Sequence, residues 1–213
     1  MKKILMLTLV AAICMLLPIS KNFADNKISD NKKDPSHKRD GFYLLAAIGS
    51  SANTDYAPYD ASNAPVVTND SNYTSYRIGL GYLRPVAEKV SLGGEFAYNY
   101  YGSERYNYLN LDSAEIDYSA IDILGVIALR VNNYWSLKAK AGVAYESIDA
   151  TEEGFNASLS EKQWLPEVGG GLAYSVSESF EVEGSFSYIL GNVSTVNNAP
   201  DITVLWIGLN YYL

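Results

Sequence analysis

The residues able to do acid–base or ion-pair chemistry fall inside alternating segments rather than in loops. Arg77, Glu95, Asp122, Lys138, Lys140, Glu167 and Glu183 each share a parity with neighbours that are mostly Gly, Ala and Ser. Cations and carboxylates in near balance suit either a buried ion-pair network closing a narrow interior or a charged constriction lining a pore. Nucleophilic catalysis of the usual kind needs a positioned base, and the one histidine, His37, stands in a charged stretch before the first strand. The one cysteine, Cys14, lies in the apolar N-terminal run, which excludes a thiolate metal cluster in the mature chain. The loops carry Asp55, Asp60, Asp70, Asp112, Asp149, Glu152 and Glu153 without calcium-loop spacing, so they read as solvated surface. The GxG tripeptides in "IGLGYL" and "VGGGLAY" lack the strand-to-helix setting of a phosphate loop. No cofactor, metal or enzymatic activity is expected.

Those charges need strands to hold them. After Gly41 the chain reads as eight period-2 segments, at about 42–51, 73–84, 89–101, 115–130, 135–148, 162–175, 180–191 and 201–213. Connections alternate. Residues 85–88, 131–134 and 176–179 form tight turns, whereas 52–72, 102–114, 149–161 and 192–200 form long polar loops. An even number of antiparallel strands with short turns at one end and long loops at the other is the layout of an up-and-down transmembrane β-barrel, although soluble barrels share it.

The two faces decide between lipid and water. In "KVSLGGEFAYNYY" (89–101), Val90, Leu92, Phe96, Tyr98 and Tyr100 oppose Ser91, Gly93, Glu95, Ala97 and Asn99. In the fifth segment, Trp135, Leu137, Ala139, Ala141, Val143 and Tyr145 oppose Ser136, Lys138, Lys140, Gly142 and Ala144. The polar face is too small to coat an exterior, and an eight-stranded barrel has room inside only for side chains. The bulky face therefore points out, and lipid is the solvent that tolerates it. Aromatics gather toward both strand ends: Tyr76, Tyr98, Tyr100, Tyr118, Tyr145, Trp164 and Tyr188 near the long loops, and Tyr82, Trp135, Tyr174, Phe180 and Tyr211 near the short turns. Rings at both interfaces of an apolar band are expected of a membrane barrel. Counted from the short turns, Arg77, Glu95, Asp122 and Lys140 lie near mid-depth, Lys138 and Glu183 lower, and Glu167 higher. Arg77 and Glu95, on adjacent strands, are expected opposite each other.

The N-terminus reads "MKKILMLTLVAAICMLLPISKNFA", two lysines, an apolar run and a small-residue end, which predicts a cleaved signal peptide over 1–24. Residues 25–40, dense in charge, read as a flexible periplasmic tail, and 41–213 as the barrel domain. The chain carries a net charge of −8, which becomes −11 when Lys2, Lys3 and Lys21 leave with the signal peptide. An export product this acidic repels nucleic acid.

The stretch "WLPEVGGGLAYSVSESFEVEGSFSYI" (164–189) resembles the penultimate hairpin of the OmpA-like and opacity-type family of small outer-membrane barrels. The ending "WIGLNYYL" is similar to that family's C-terminal assembly signal, with Gly208, Tyr211 and Leu213 in the expected places and Leu where Phe is usual. The resemblance implies a monomeric, all-β, eight-stranded barrel in a Gram-negative outer membrane. Its expected partners are membrane lipid and lipopolysaccharide, the barrel assembly machinery and host or matrix surface ligands. No peptidoglycan-binding domain is expected after the last strand, so the wall-tethering role of longer family members is not implied. A structural or adhesive role is expected, with a narrow porin-like diffusion channel as the alternative and a soluble ligand-binding barrel as a distant one.

Overall fold

A computed structural model describes residues 41–53, 66–108, 114–152, 157–191 and 199–213. The expected signal peptide, the tail and His37 lie outside the described residues. Every described element is a strand: β1 (Gly41–Asn53), β2 (Val66–Asn72), β3 (Thr74–Ala87), β4 (Val90–Tyr108), β5 (Ala114–Arg130), β6 (Trp135–Glu152), β7 (Ala157–Ser175), β8 (Phe180–Ile189) and β9 (Ile202–Tyr212). Apart from β2, each pairs antiparallel with its chain neighbour, and β1 also pairs β9 from Tyr43↔Tyr212 to Asn53↔Ile202. That last pairing closes eight strands into a ring with no free edge along its body.

β2 falls within the segment 52–72 that the sequence reads as loop, and it pairs with the far end of β4 from Val66↔Tyr108 to Asn72↔Ser103. Its polar composition carries no alternation of apolar residues, so no period-2 signal marks it. The strands are also unequal. β4 to β7 have 19, 17, 18 and 19 residues, whereas β8 and β9 have 10 and 11. Pairing between β6 and β7 runs on to Glu152↔Ala157, while β7 and β8 part at Glu167↔Ile189. The excess length lies at the long-loop end, where β2 and β4 to β7 continue as a sheet beyond the closed ring.

The inside-out arrangement is direct. Ile48, Ile78 and Ile207 are 66%, 61% and 60% exposed on the outer face, while Asp122 and Glu167, on the inner face, are 0% and 1% exposed. Aromatic pairs sit at the two rims: Tyr145 with Trp164 and Tyr76 with Tyr100 at the long-loop end, Trp135 with Tyr174 and Phe180 with Tyr211 at the short-turn end. Tyr118 is a correction: it is fully buried inside the barrel, not in the outer rim. It shares the parity of Asp122, and parity decides the face.

Close approach of backbones explains the small inner residues. A Cβ at Gly93 would stand 1.7 Å from the Tyr82 carbonyl oxygen, and one at Gly81 would enter the Tyr43 ring. At Gly102 the chain adopts a φ of 105°, and the β4–β5 register shifts between Tyr100 and Gly102. This bulge changes the inward parity, so Tyr101 and then Glu104 are both buried.

Candidate functional site

The interior charges form one connected column. Nearest the short turns, Glu181 of β8 accepts hydrogen bonds from Lys138 Nζ, from Asn210 Nδ2 at 3.0 Å and from the Tyr212 hydroxyl at 3.3 Å. Lys138 also donates to Glu183 at 2.9 Å, as does Asn210 at 2.9 Å, and the lysine ammonium lies 5.5 Å from the centre of the Tyr43 ring. Glu183 is 2.8 Å from Lys140, which is 2.9 Å from Glu95. Glu95 lies 4.0 Å from Arg77, and the Arg77 guanidinium lies 3.5 Å from Asp122 and 3.9 Å from Glu167. The Asn99 amide donates to Asp122. Charge thus alternates in sign from Glu181 up to Arg77, where two carboxyls share one guanidinium.

Small residues make this column possible. Lys138 and Lys140 on β6 stand opposite Gly171 and Gly169 of β7, and Glu183 on β8 stands opposite Ala173. With no bulk on the intervening strand, lysines and glutamates two strands apart reach over it. Arg77 and Glu167 lie on β3 and β7, four strands apart in the ring of eight, so their contact crosses the barrel. All seven charged residues singled out in the sequence lie in this column. The register departs from expectation in one respect: Arg77 pairs with Asn99, and Glu95 pairs with Gly81. Arg77 and Glu95 meet through the length of their side chains.

Four participants escape a sequence reading that asks only for charges near mid-depth. Glu181 shares the parity of Glu183, which was the available signal. Asn99 and Asn210 carry no charge to mark them. Glu146, fully buried, follows Tyr145 at the outer rim, and among the described residues it receives the Gln163 amide, 3.5 Å from its carboxylate.

Apolar clusters pack against the column, one toward each end. Tyr43, Leu45, Leu83, Val126 and Tyr212 form the cluster around its short-turn half, and Tyr101, Ile116, Tyr118, Ile148, Leu165 and Trp206 form the one toward the long loops. The cavity beside Arg77, Lys140 and Glu183 measures about 20 Å³, and that beside Lys138 and Glu181 about 30 Å³. Each is room for about one water molecule. Among the described residues no group of three or more His, Cys, Asp or Glu is arranged to hold a metal ion. At the C-terminus, Gly208 faces inward against Ala47, Tyr211 faces outward against Phe180, and the Leu213 amide donates to the Phe42 carbonyl at 3.0 Å.

Residues 35–212 match the family model described as the outer membrane protein beta-barrel domain. The chain belongs to that family. As an outer-membrane protein beta-barrel, it places its bulky face in the lipid of a Gram-negative outer membrane. An uncharacterized protein of Coxiella burnetii is 23% identical over 213 residues, covering 89% of this chain and 75% of the relative. Among solved structures, the attachment invasion locus protein Ail of Yersinia pestis superposes with a TM-score of 0.52 at 17% identity, over 81% of this chain and 98% of Ail. Neisserial surface protein A does so with a TM-score of 0.55 at 16% identity, over 81% of this chain and 97% of that one. Ail has also been solved in complex with the heparin analogue sucrose octasulfate. At these identities the likeness carries the fold of the outer-membrane barrel.

Proposed function

We propose that this outer-membrane barrel is a surface structural protein whose long-loop end makes contacts outside the cell. The observation carrying the reading is the sheet that outruns the closed ring, held together by pairing from Tyr106↔Ala114 and Ala114↔Glu152 to Glu152↔Ala157. A barrel that only spanned the membrane would need about 9–11 residues per strand. The surplus length of β4 to β7 offers a rigid platform, and contacts are commonly made by segments mounted on such scaffolds.

Charge narrows the partner. Segments 52–72, 105–118, 147–163 and 190–201, at or beyond the outer ends of the strands, hold eleven acidic residues against Arg105 and Lys162. A sulfated ligand of the kind solved with Ail would meet repulsion here, so a basic host or matrix surface suits this chain better. Replacing residues 149–160 by a two-residue turn is expected to reduce adhesion several-fold while the barrel still folds in detergent, and unchanged adhesion would sink the reading. Adhesion is also expected to weaken as salt rises.

The alternative of a diffusion channel is opposed by the filled interior, and purified protein in planar bilayers is expected to remain silent in single-channel recordings. The barrel acts as a monomer in contact with lipopolysaccharide, and Gly208, Tyr211 and Leu213 serve as the signal for the assembly machinery. Leu213→Phe is expected to raise the assembled fraction.

A further inference from the structure

Three cations converge at the short-turn mouth of the barrel. The Arg130 amide donates to the Lys89 carbonyl at 2.7 Å, one step beyond the pair Val90↔Leu129, so Lys89 and Arg130 stand directly opposite each other on neighbouring strands. Lys89 shares the parity of the buried Ser91, and Arg130 that of the buried Ala128, which aims both at the barrel axis. On the next strand, Ser136 lies opposite Arg130 and Lys138 lies opposite Ala128. Like charges placed directly opposite in a sheet repel, and an anion between them removes the cost.

These side chains surround the hollow of about 30 Å³, whose charged lining is Lys89, Arg130, Lys138 and Glu181. Its floor is closed, because Ser91, Ser136, Lys138 and Glu181 are buried, and its rim is open, with Lys89 exposed and Arg130 half-buried. Glu181 does not offset the rim. Its oxygens already accept from Lys138, Asn210, the Tyr212 hydroxyl and, at 3.5 Å, the Ser136 hydroxyl. Arg130 Nη1 donates to the Glu88 carbonyl at 3.3 Å, an uncharged acceptor. Glu88 and Glu178 lie on turns at this end and do not line the hollow.

We propose that this mouth, on the periplasmic side where the short turns lie, is an oxyanion site for a water-soluble carboxylate or phosphate. Space for about one water molecule admits a single oxygen of such a group, and the rest of it stays at the rim between Lys89 and Arg130. The ammonium and guanidinium then supply charge-assisted hydrogen bonds, with the guanidinium suited to a second, parallel contact. A lipid phosphate is a different ligand. Arg84 is the cation placed for that, since it shares the outward parity of Tyr82 and pairs with the lipid-facing Leu92. Lys89 and Arg130 face the axis, so their ligand arrives from the periplasm as a solute.

The experiment titrates the full mature chain, folded in uncharged detergent micelles at constant ionic strength, with inorganic phosphate and follows the phosphorus NMR line width. Saturable broadening that acetate reverses is expected. Lys89→Gln, a change on an exposed side chain, should weaken the apparent Kd about tenfold, the size of one charge-assisted hydrogen bond. The double variant Lys89→Gln with Arg130→Gln should abolish saturation, and Arg84→Gln should leave it unchanged. If loss of Arg130 prevents folding, Lys89→Glu reverses the rim charge without touching that residue and is expected to abolish saturation as well. Broadening that never saturates in the parent, or that persists undiminished in Lys89→Gln and Lys89→Glu, would overturn the proposal. Micelles doped with phosphatidylglycerol test the other source: if the lipid displaces phosphate and Arg84→Gln prevents it, the site belongs to the membrane surface and the proposal fails.

Discussion

In the half of the interior nearest the short turns, Lys138 is shared by Glu181 and Glu183, Asn210 and Tyr212 donate to the same oxygens, and the other two oxygens meet the Ser136 hydroxyl at 3.5 Å and the Lys140 ammonium at 2.8 Å. In the outer half, Asp122 and Glu167 compete for one guanidinium, and Glu146 has, among the described residues, only an amide. Both halves are buried and both carry acidic residues, yet the first is a saturated network and the second is short of donors. A low-dielectric interior makes that distinction large, because a paired charge there is close to neutral in cost and an unpaired one is severely penalised. The lesson is that a lysine's worth depends on how many carboxylates lean on it rather than on its own burial.

The sharpest way to break this contrast is Lys138→Met. It leaves Glu181 and Glu183 without their cation and is expected to cost about 3–5 kcal/mol in detergent unfolding experiments. Glu167→Gln, in the outer half, should cost far less at neutral pH, and equal losses would show the halves to be alike. Next in size is Val143→Arg, on the outer face of β6 opposite Ile123 and Pro166, with a loss of about 2–4 kcal/mol near the bilayer midplane. If that variant folded into lipid vesicles as well as the parent, the outward direction of the bulky face would be wrong. Trp206→Phe removes the indole N–H bond to Ser187 Oγ, 3.0 Å long, and should cost about 1 kcal/mol, sharpening how much of the outer layer's stability is polar. Smallest is Tyr100→Phe. Its hydroxyl donates to Asp117 at 2.9 Å at the outer rim, and its removal should move stability by no more than about 0.5 kcal/mol.

Much of the fold was legible because a strand's side chains alternate strictly. Gly, Ala and Ser interleaved with Val, Leu and Tyr reveal both the strand and its two faces, and short turns against long loops give the order of the meander. Where a reading slipped, a second rule was needed. Tyr118 fits a rim by its type and depth, but its parity with Asp122 places it inside. β2 has no apolar alternation and exists because β4 extends far enough to pair with it. The seven charged residues of the interior could be named from parity alone, yet Arg77 was matched with Glu95 when its register partner is Asn99. The turn expected across 85–88 lies instead at Glu88–Lys89, because β3 continues through Pro85 to Ala87, and moving the turn tip along the chain moves every pairing of β3 with β4.

By itself the sequence determined which side chains face lipid and which face the axis, since period 2 ties every residue's direction to that of its neighbours. Only the tertiary structure decided who meets whom inside. Arg77 and Glu167 come from strands on opposite sides of the ring, and the lysines of β6 reach the glutamates of β8 over the glycines of β7. Those contacts depend on strand stagger and on the barrel's diameter, which arise from closing the sheet and from no local run of residues.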